Sequence, residues 1–572
     1  MPDMPALTFD VREIPFSRRG SWLDISPVVA LHTVLDDLHL VTHQTGMNAV
    51  LRLVPERAGQ RLDLEFDASP SVLAWAESGR PLIRAVFDGL DTVRLRGDGA
   101  ELRIADAAET LTPFTGTYLF RDPIDGSAVF TSYESGRRYR VTSLRGELRI
   151  EGSEALGETA RAVVAAGDDG GWEVAIEEFE TARHPYRATE DFDALAATAA
   201  SEFAEFADTI AGWRDDSTPA AELACYVLWS ATVSPRGFLR RESVLMSKHW
   251  MDKVWSWDHC FNALALSPGD PTFALDQFLT PFDHQDASGA MPDSVTHSEI
   301  LYNFVKPPIH GWALAKLREH TELDRETLLG IQRRLAAWTD FWLDFRRVPG
   351  HALPHYQHGN DSGWDNSTTF DHDRVIESPD LAAFLLVQLD VLIALTNELG
   401  LDGADWARQR EEVAAALLAE LWDGDAFVAR SATDARPSKT GSLLNLLPIV
   451  AGRRLPQEVT ERLAAEIERH LTLFGPATQL IDSAEYAADG YWRGPIWAPS
   501  TVLVEDGLRV SGYAGLADEV SRRFRLLCET SGFAENFDAV SGAGLRDRAY
   551  TWTASAYLLL ARDAIGRAAA SD

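Results

Sequence analysis

Up to about residue 185 the apolar residues tend to fall on every second position. The pattern runs through LHLVTH (38–43), AVLRLVP (49–55), RLDLEFD (61–67), TVRLRGDGAELRIAD (92–106), RRYRVTSLRGELRIEG (137–152) and WEVAIEEFET (172–181). Period-two stretches broken at short spacing by Gly, Asp, Ser and Pro predict half-buried strands in an antiparallel β-sandwich. From ATEDFDALAATAASEFAEFADTIAGW (188–213) onward the apolar spacing becomes helical and stays so, apart from Gly- and Pro-bearing loops. The change of period predicts two domains, a β-sandwich over 1–187 and an all-α domain over 188–572. In the second, stretches such as DHCFNALAL (258–266), SPDLAAFLLVQLDVLIALTNEL (378–399), SLLNLLPIV (442–450) and YTWTASAYLLLARDAI (550–565) make up about a dozen helices. Alternately long and short links between them predict helical hairpins closed into an (α/α)6 barrel.

Length and charge narrow what such a protein does. Its 572 residues are ample for a large core, and 45% hydrophobic with 24% charged residues is an ordinary globular balance. A formal charge of -34 repels nucleic acid and anionic membranes, whose partners cluster Lys and Arg, so neither is an expected partner. Three scattered cysteines, Cys225, Cys260 and Cys528, suit a reducing compartment rather than a disulfide framework. The first residues lack a basic and apolar leader pattern, and no stretch holds ~18 consecutive apolar residues. A cytoplasmic enzyme is the expectation. Seventeen tryptophans suggest sugar contacts, since indole rings pack against the C–H face of a pyranose.

Candidate chemistry lies in the long links. Five of them, 250–261, 283–294, 355–370, 483–497 and 531–552, hold aromatic and acidic residues that no helix requires, and alternate loops of a helical ring gather at one end. A glycosidase needs one protonated and one ionised carboxyl across the scissile bond. In SGWDNS, Asp365 beside Trp364 has the low-dielectric neighbour that favours a proton donor, or else it caps a helix or forms an Asx turn. In FAENFDA, Glu535 is a base held by neighbouring amides, or a solvated loop acid. Asp258 could grip sugar hydroxyls or cap the helix after it; Asp361, Glu485 and Asp547 could be ligands, caps or surface charges. Arg493, among Tyr491, Trp492 and Trp497, requires an acidic or backbone partner if buried. His355 and His358 sit in a Gly-rich loop without helical zinc spacing, and there is no phosphate-cradling loop and no G-x-S-x-G elbow. No metal and no cofactor are expected.

Taken in order, WSWDHCFNALAL, SGWDNS, YWRGPIW and FAENFDAVSGAGLRDRAYTWTAS resemble the motifs of glycoside hydrolase family 63 and its bacterial mannosylglycerate and glucosylglycerate hydrolase relatives. The likeness spans about residues 220–565 and leaves the β portion unplaced. It implies an (α/α)6 barrel and an exo-acting, inverting α-glycoside hydrolase, of α-glucosidase or α-mannosidase type, acting on a small glycoside or oligosaccharide. On that resemblance Asp365 is the general acid and Glu535 the general base, about 6.5–9.5 Å apart in inverting geometry. Trp257 and Asp258 match the sugar subsite, Trp492 and Trp497 its walls, and Arg493 braces the loop. Where relatives read QPP, this chain reads VKPPIHGWAL, which places Lys306 to meet an anionic substrate group or to serve as a salt-bridged loop residue. The competing readings are an α-L-rhamnosidase-like hydrolase and a non-catalytic carbohydrate-binding protein.

Overall fold

A computed structural model describes residues 7–108, 117–152, 160–167, 170–402 and 405–571. The chain forms two compact units. One comprises Met1–Thr209, Cys225–Asp252 and Thr296–Ser298; the other comprises Ile210–Ala224, Lys253–Val295 and Glu299–Asp572.

Among the described residues the first unit is built on two eight-stranded sheets. One runs in space as Phe16–Ser17, Leu23–Ala30, Thr33–Thr42, Asn48–Arg57, Glu101–Asp106, Ala162–Ala166 and Glu147–Glu151, with Gln60–Arg61 paired beside Asn48–Arg57. The other runs Thr117–Arg121, Ala128–Ser132, Arg138–Arg145, Gly171–Phe179, Thr92–Asp98, Arg80–Phe87, Leu73–Glu77 and Glu65–Ala68. Neighbouring strands pair antiparallel throughout, and the alternate residues Leu23, Leu40, Leu53, Leu73, Ile83, Leu95, Val141 and Val174 meet in one buried core. The sandwich read from alternation is present. RLDLEFD is interrupted, with strands at Gln60–Arg61 and Glu65–Ala68 only. Two helices follow in the chain, α1 (Phe192–Ala211) and α2 (Ala221–Ala231).

Among the described residues the second unit holds ten further α-helices: α3 (Asp258–Leu266), α4 (Pro271–Leu279), α5 (His310–Leu317), α6 (Arg325–Asp340), α7 (Pro379–Glu398), α8 (Trp406–Leu421), α9 (Gln457–His470), α10 (Ala498–Val510), α11 (Ala514–Ser531) and α12 (Thr551–Ser571). Packing runs from α3 to α5, α7, the 3-10 helix Leu443–Arg454, α10, α12 and back to α3, a closed circle of six. Outside it α4 packs on α3, α6 and α8 on α7, α9 on Leu443–Arg454, and α11 on α10 and α12. This is an (α/α)6 barrel.

Two departures from the helical reading have local causes. SLLNLLPIV is a 3-10 helix rather than an α-helix, because Pro448 lacks the amide that α-bonding needs and Gly452 breaks the path at φ 55°. The helical spacing of RETLLGIQRRLAAWTDFWLDFR predicts one helix over 325–346, but the α-helix ends at Asp340 and continues as one π turn, Phe341–Phe345, where Trp338 and Phe341 stack at 5.3 Å. By length and composition α7 could cross a membrane. Here most of it is buried inside the unit as a ring helix, which explains the apolar excess.

Candidate active site

Each ring helix is entered from a long link, and the first turns of three of them are joined by indole contacts. Trp257, just before α3, lies 5.9 Å from Trp552 in α12, and Trp552 lies 5.4 Å from Trp497 just before α10. Trp497 stacks on Trp492 at 4.0 Å and 6°, and Trp492 meets Trp364 at 4.6 Å. These contacts bring the motif loops to one end of the ring. Trp492 is packed between two indoles, so its faces are taken by Trp364 and Trp497. It is the spine of the aromatic wall rather than its surface.

Asn366 ties the loop of Asp365 to this wall. Its Nδ2 donates to Gly490 O (3.1 Å), its Oδ1 accepts from Trp492 N (3.0 Å), and its carbonyl accepts from Arg493 Nε (2.7 Å). Arg493 is half-buried rather than buried, and its guanidinium also pairs with Asp371. The arginine is therefore a brace between loops, the partner requirement being met by one carboxylate and one carbonyl. Gly363 has φ 74°, and a Cβ there would lie 2.5 Å from the Trp257 ring, so this close approach needs glycine. Gly494 serves the same purpose, since a Cβ would lie 2.3 Å from Ala487 O.

Asp365 is neither a helix cap nor an Asx turn: Ser367 caps the short turn Thr368–Phe370, accepting from Thr369 N. Burial raises the Asp365 pKa, Lys306 pulls it down, and Asp293 pushes it up again, for a net rise. Asp258 opens α3 with its Oδ2 buried and lacking a hydrogen-bond partner, so no amide uses that oxygen as a cap. Burial pushes its pKa up to about 8 against the opposing charge of Lys306. An orphaned carboxylate oxygen at a helix N-terminus is suited to take a hydroxyl donor.

Lys306 is buried, with its ammonium 2.9 Å from Asp293 Oδ1 and donating to Asn360 O at 2.8 Å. Burial lowers the pKa of its ammonium, but Asp293 and Asp365 outweigh that and raise it. Its charge acts on Asp258, Asp293 and Asp365, and it is held by the protein in the manner of a salt-bridged loop residue. Asp293, which sequence reasoning passed over, could have been found only by knowing that the 283–294 loop meets Lys306.

Glu535 is 3% exposed, so it is no solvated loop acid. Its amide donates to Asp547 O at 2.7 Å, and its carboxyl is hydrogen-bonded by the Tyr491 hydroxyl and by the Asp547 backbone amide. Burial, then the like charge of Asp547, lifts its pKa to about 8. Burial and then the charges of Glu535 and Asp365 raise the Tyr491 pKa, so both acids act on one phenol. Arg546 holds that phenol in place: its guanidinium lies 4.9 Å over the Tyr491 ring and bonds Asn536 Oδ1 (2.9 Å) and Asp489 Oδ1 (2.7 Å). Tyr491 and Arg546 both adopt left-handed backbone, φ 64° and 61°. Non-glycine residues in that region cost of order 1–3 kcal/mol each and gather where side chains must be aimed.

The remaining acids have other employment. Asp361 accepts from Val305 N, Gln357 N and Arg346 Nη1, stapling three segments, and Glu485 is exposed and bonded to Ser483. Asp547 is buried beside Glu535 and accepts from Ala549 N at 3.0 Å. Among the described residues, no group of three or more His, Cys, Asp and Glu is disposed to hold a metal ion.

A closed circle of paired helices with acids and indoles gathered on its entry loops defines an (α/α)6-barrel glycoside hydrolase. Residues 251–553 match the family described as mannosylglycerate hydrolase MGH1-like glycoside hydrolase domain, and the chain belongs to this family, which is related to glycoside hydrolase family 63. A mannosylglycerate hydrolase of Rubrobacter radiotolerans is 24% identical over a region covering 53% of this chain and 89% of that one. The solved GH63 mannosylglycerate hydrolase of Thermus thermophilus in complex with glucose is 21% identical, with a TM-score of 0.54 over 59% of this chain and 99% of that one. A bacterial glucoamylase complexed with acarbose is only 10% identical, yet matches at a TM-score of 0.63 over 99% of this chain and 97% of its own. The β portion, without a recognisable motif, thus has a counterpart in fold.

Proposed function

We propose that this glycoside hydrolase is exo-acting and inverting, and removes an α-linked glucosyl or mannosyl unit from a small glycoside or oligosaccharide. The observation that supports the reading is that two acids from loops 170 positions apart, the half-buried Asp365 and the buried Glu535, both act on the Tyr491 phenol. Asp365 gives its proton to the glycosidic oxygen as the C–O bond breaks. Glu535 takes a proton from the water whose oxygen bonds to the anomeric carbon from the opposite face. Asp258 Oδ2 accepts from a hydroxyl of the terminal sugar, and Tyr491 keeps Glu535 aimed. Relatives named mannosylglycerate hydrolases make hexosylglycerates the first compounds to assay. A cytoplasmic site of action is supported by the three buried cysteines, which form no disulfide among the described residues.

Asp365→Asn and Glu535→Gln should each lower kcat by at least ~10²-fold with Tm unchanged. Proton NMR of the first product from an α-glycoside should show the β anomer. An α anomer as the first product, or near-normal turnover in either variant, overturns the assignment.

A further inference from the structure

The β-rich unit holds a cleft of about 400 Å3 between the edges of its two sheets. One wall comes from Phe66 and Trp75, on the last two strands of one sheet, and the other from residues 34–37 and 61 of the other sheet with the connecting residues 62–64. That volume lies in the range of small-molecule sites, ~300–1,000 Å3.

Four observations make it a built site. Phe66 and Trp75 meet edge to face at 6.4 Å, which makes that wall of the cleft rigid. Trp75 is 1% exposed and its Nε1 has no acceptor, a buried donor that an oxygen in the cleft would satisfy. Val34 and Leu35, at the rim, are 57% and 45% exposed, apolar surface that this chain leaves uncovered. Asp37 is buried and paired with Arg61 (3.0 Å) and Arg52, while the exposed Asp36 and Asp63 beside it form no ion pair among the described residues.

The lining selects a chemical class. Arg61 is committed to Asp37, and Arg12 lies 4.8 Å over the Phe66 ring, so the cationic groups already have partners and an anion finds little to bind. Among the described residues the carboxylates are not grouped to hold a metal. What remains is a ligand with an apolar C–H face for the Val34 and Leu35 rim, and vicinal hydroxyls for the two open carboxylates, Asp36 and Asp63. Neutral sugars combine both.

We propose that this cleft is a second saccharide site, which takes a neutral sugar of one or two rings and performs no chemistry. It stands apart from the assignment of Asp365 and Glu535. The full-length protein carrying Glu535→Gln is titrated calorimetrically with glucose, mannose and maltose, alone and with Asp63→Asn or Phe66→Ala added. The parent should bind two molecules of at least one sugar. Each added substitution should weaken one of the two sites at least tenfold, while Asp63→Asn and Phe66→Ala made in the wild-type chain leave turnover of a chromogenic α-glycoside unchanged. Phe66 also packs on the core, so if Phe66→Ala lowers Tm, Asp63→Asn decides. A single site with every sugar, or isotherms unaltered by Asp63→Asn, overturns the proposal. Undiminished turnover by Glu535→Gln would instead overturn the catalytic reading alone.

Discussion

Replacing Asp547 by Asn removes one negative charge beside Glu535 while keeping the Oδ1 that accepts from Ala549 N. Glu535 stands at about 8 against an ordinary 4.5, with burial the largest cause and Asp547 the next. Two like charges on the order of 8 Å apart, at an effective dielectric of ~20, repel by about 2 kcal/mol, which is about 1.5 pH units. The sign follows from the charge removed: ionised Glu535 becomes easier to form, so its pKa falls. In the free enzyme one limb of the kcat/KM profile should therefore lie near pH 8, and Asp547→Asn should move that limb about one to two units toward acid while the other limb stays. The assay is kcat/KM from pH 5 to 10 on one chromogenic α-glycoside, with Tm recorded at each pH. A profile flat around pH 8, or two limbs that move together, refutes the reasoning that Glu535 titrates there under the influence of Asp547.

Two further outcomes test the architecture of the site. Lys306→Met strands the buried Asp293 and should cost about 3–5 kcal/mol, read as a fall in Tm that Lys306→Met with Asp293→Leu largely reverses; a single variant as stable as the parent would refute the ion pair's role. Gly363→Ala should reduce stability and raise KM, because left-handed backbone costs of order 1–3 kcal/mol and the new Cβ would lie 2.5 Å from the Trp257 ring; unchanged kinetics and Tm would show that the close approach is dispensable.

How much was legible in the sequence depends on how local each cause is. Period-two strands and the helical stretches after residue 188 are written in neighbouring residues, and both appear. The kink at Gly452 and the π turn after Asp340 depend on packing that periodicity does not register. Asp365 and Glu535 stood out through motif order, whereas their surroundings did not: Asp293 gains meaning only from Lys306, and Asn366 only from a loop more than 120 positions away. The left-handed backbone of Tyr491 and Arg546 has no signature in residue type, since neither is an amino acid that favours it. Trp492 and Trp497 read as a sugar-facing wall, and their mutual stacking at 4.0 Å turns one of them inward.

The circle of helices closes where α12 meets α3, and there Ser555 Oγ donates to Asn262 Oδ1 at 2.8 Å across 293 positions. On a ribosome adding ~5–20 residues per second, α3 must wait roughly 15–60 s for that neighbour. Until α12 arrives, the loop carrying Glu535 lacks the Thr553 hydroxyl that donates to Ala534 O at 2.7 Å, and the buried face of α3 is open to other nascent chains. The emerging polypeptide is thus an inert arc in need of shelter, and it becomes an enzyme only when its two distant ends are joined.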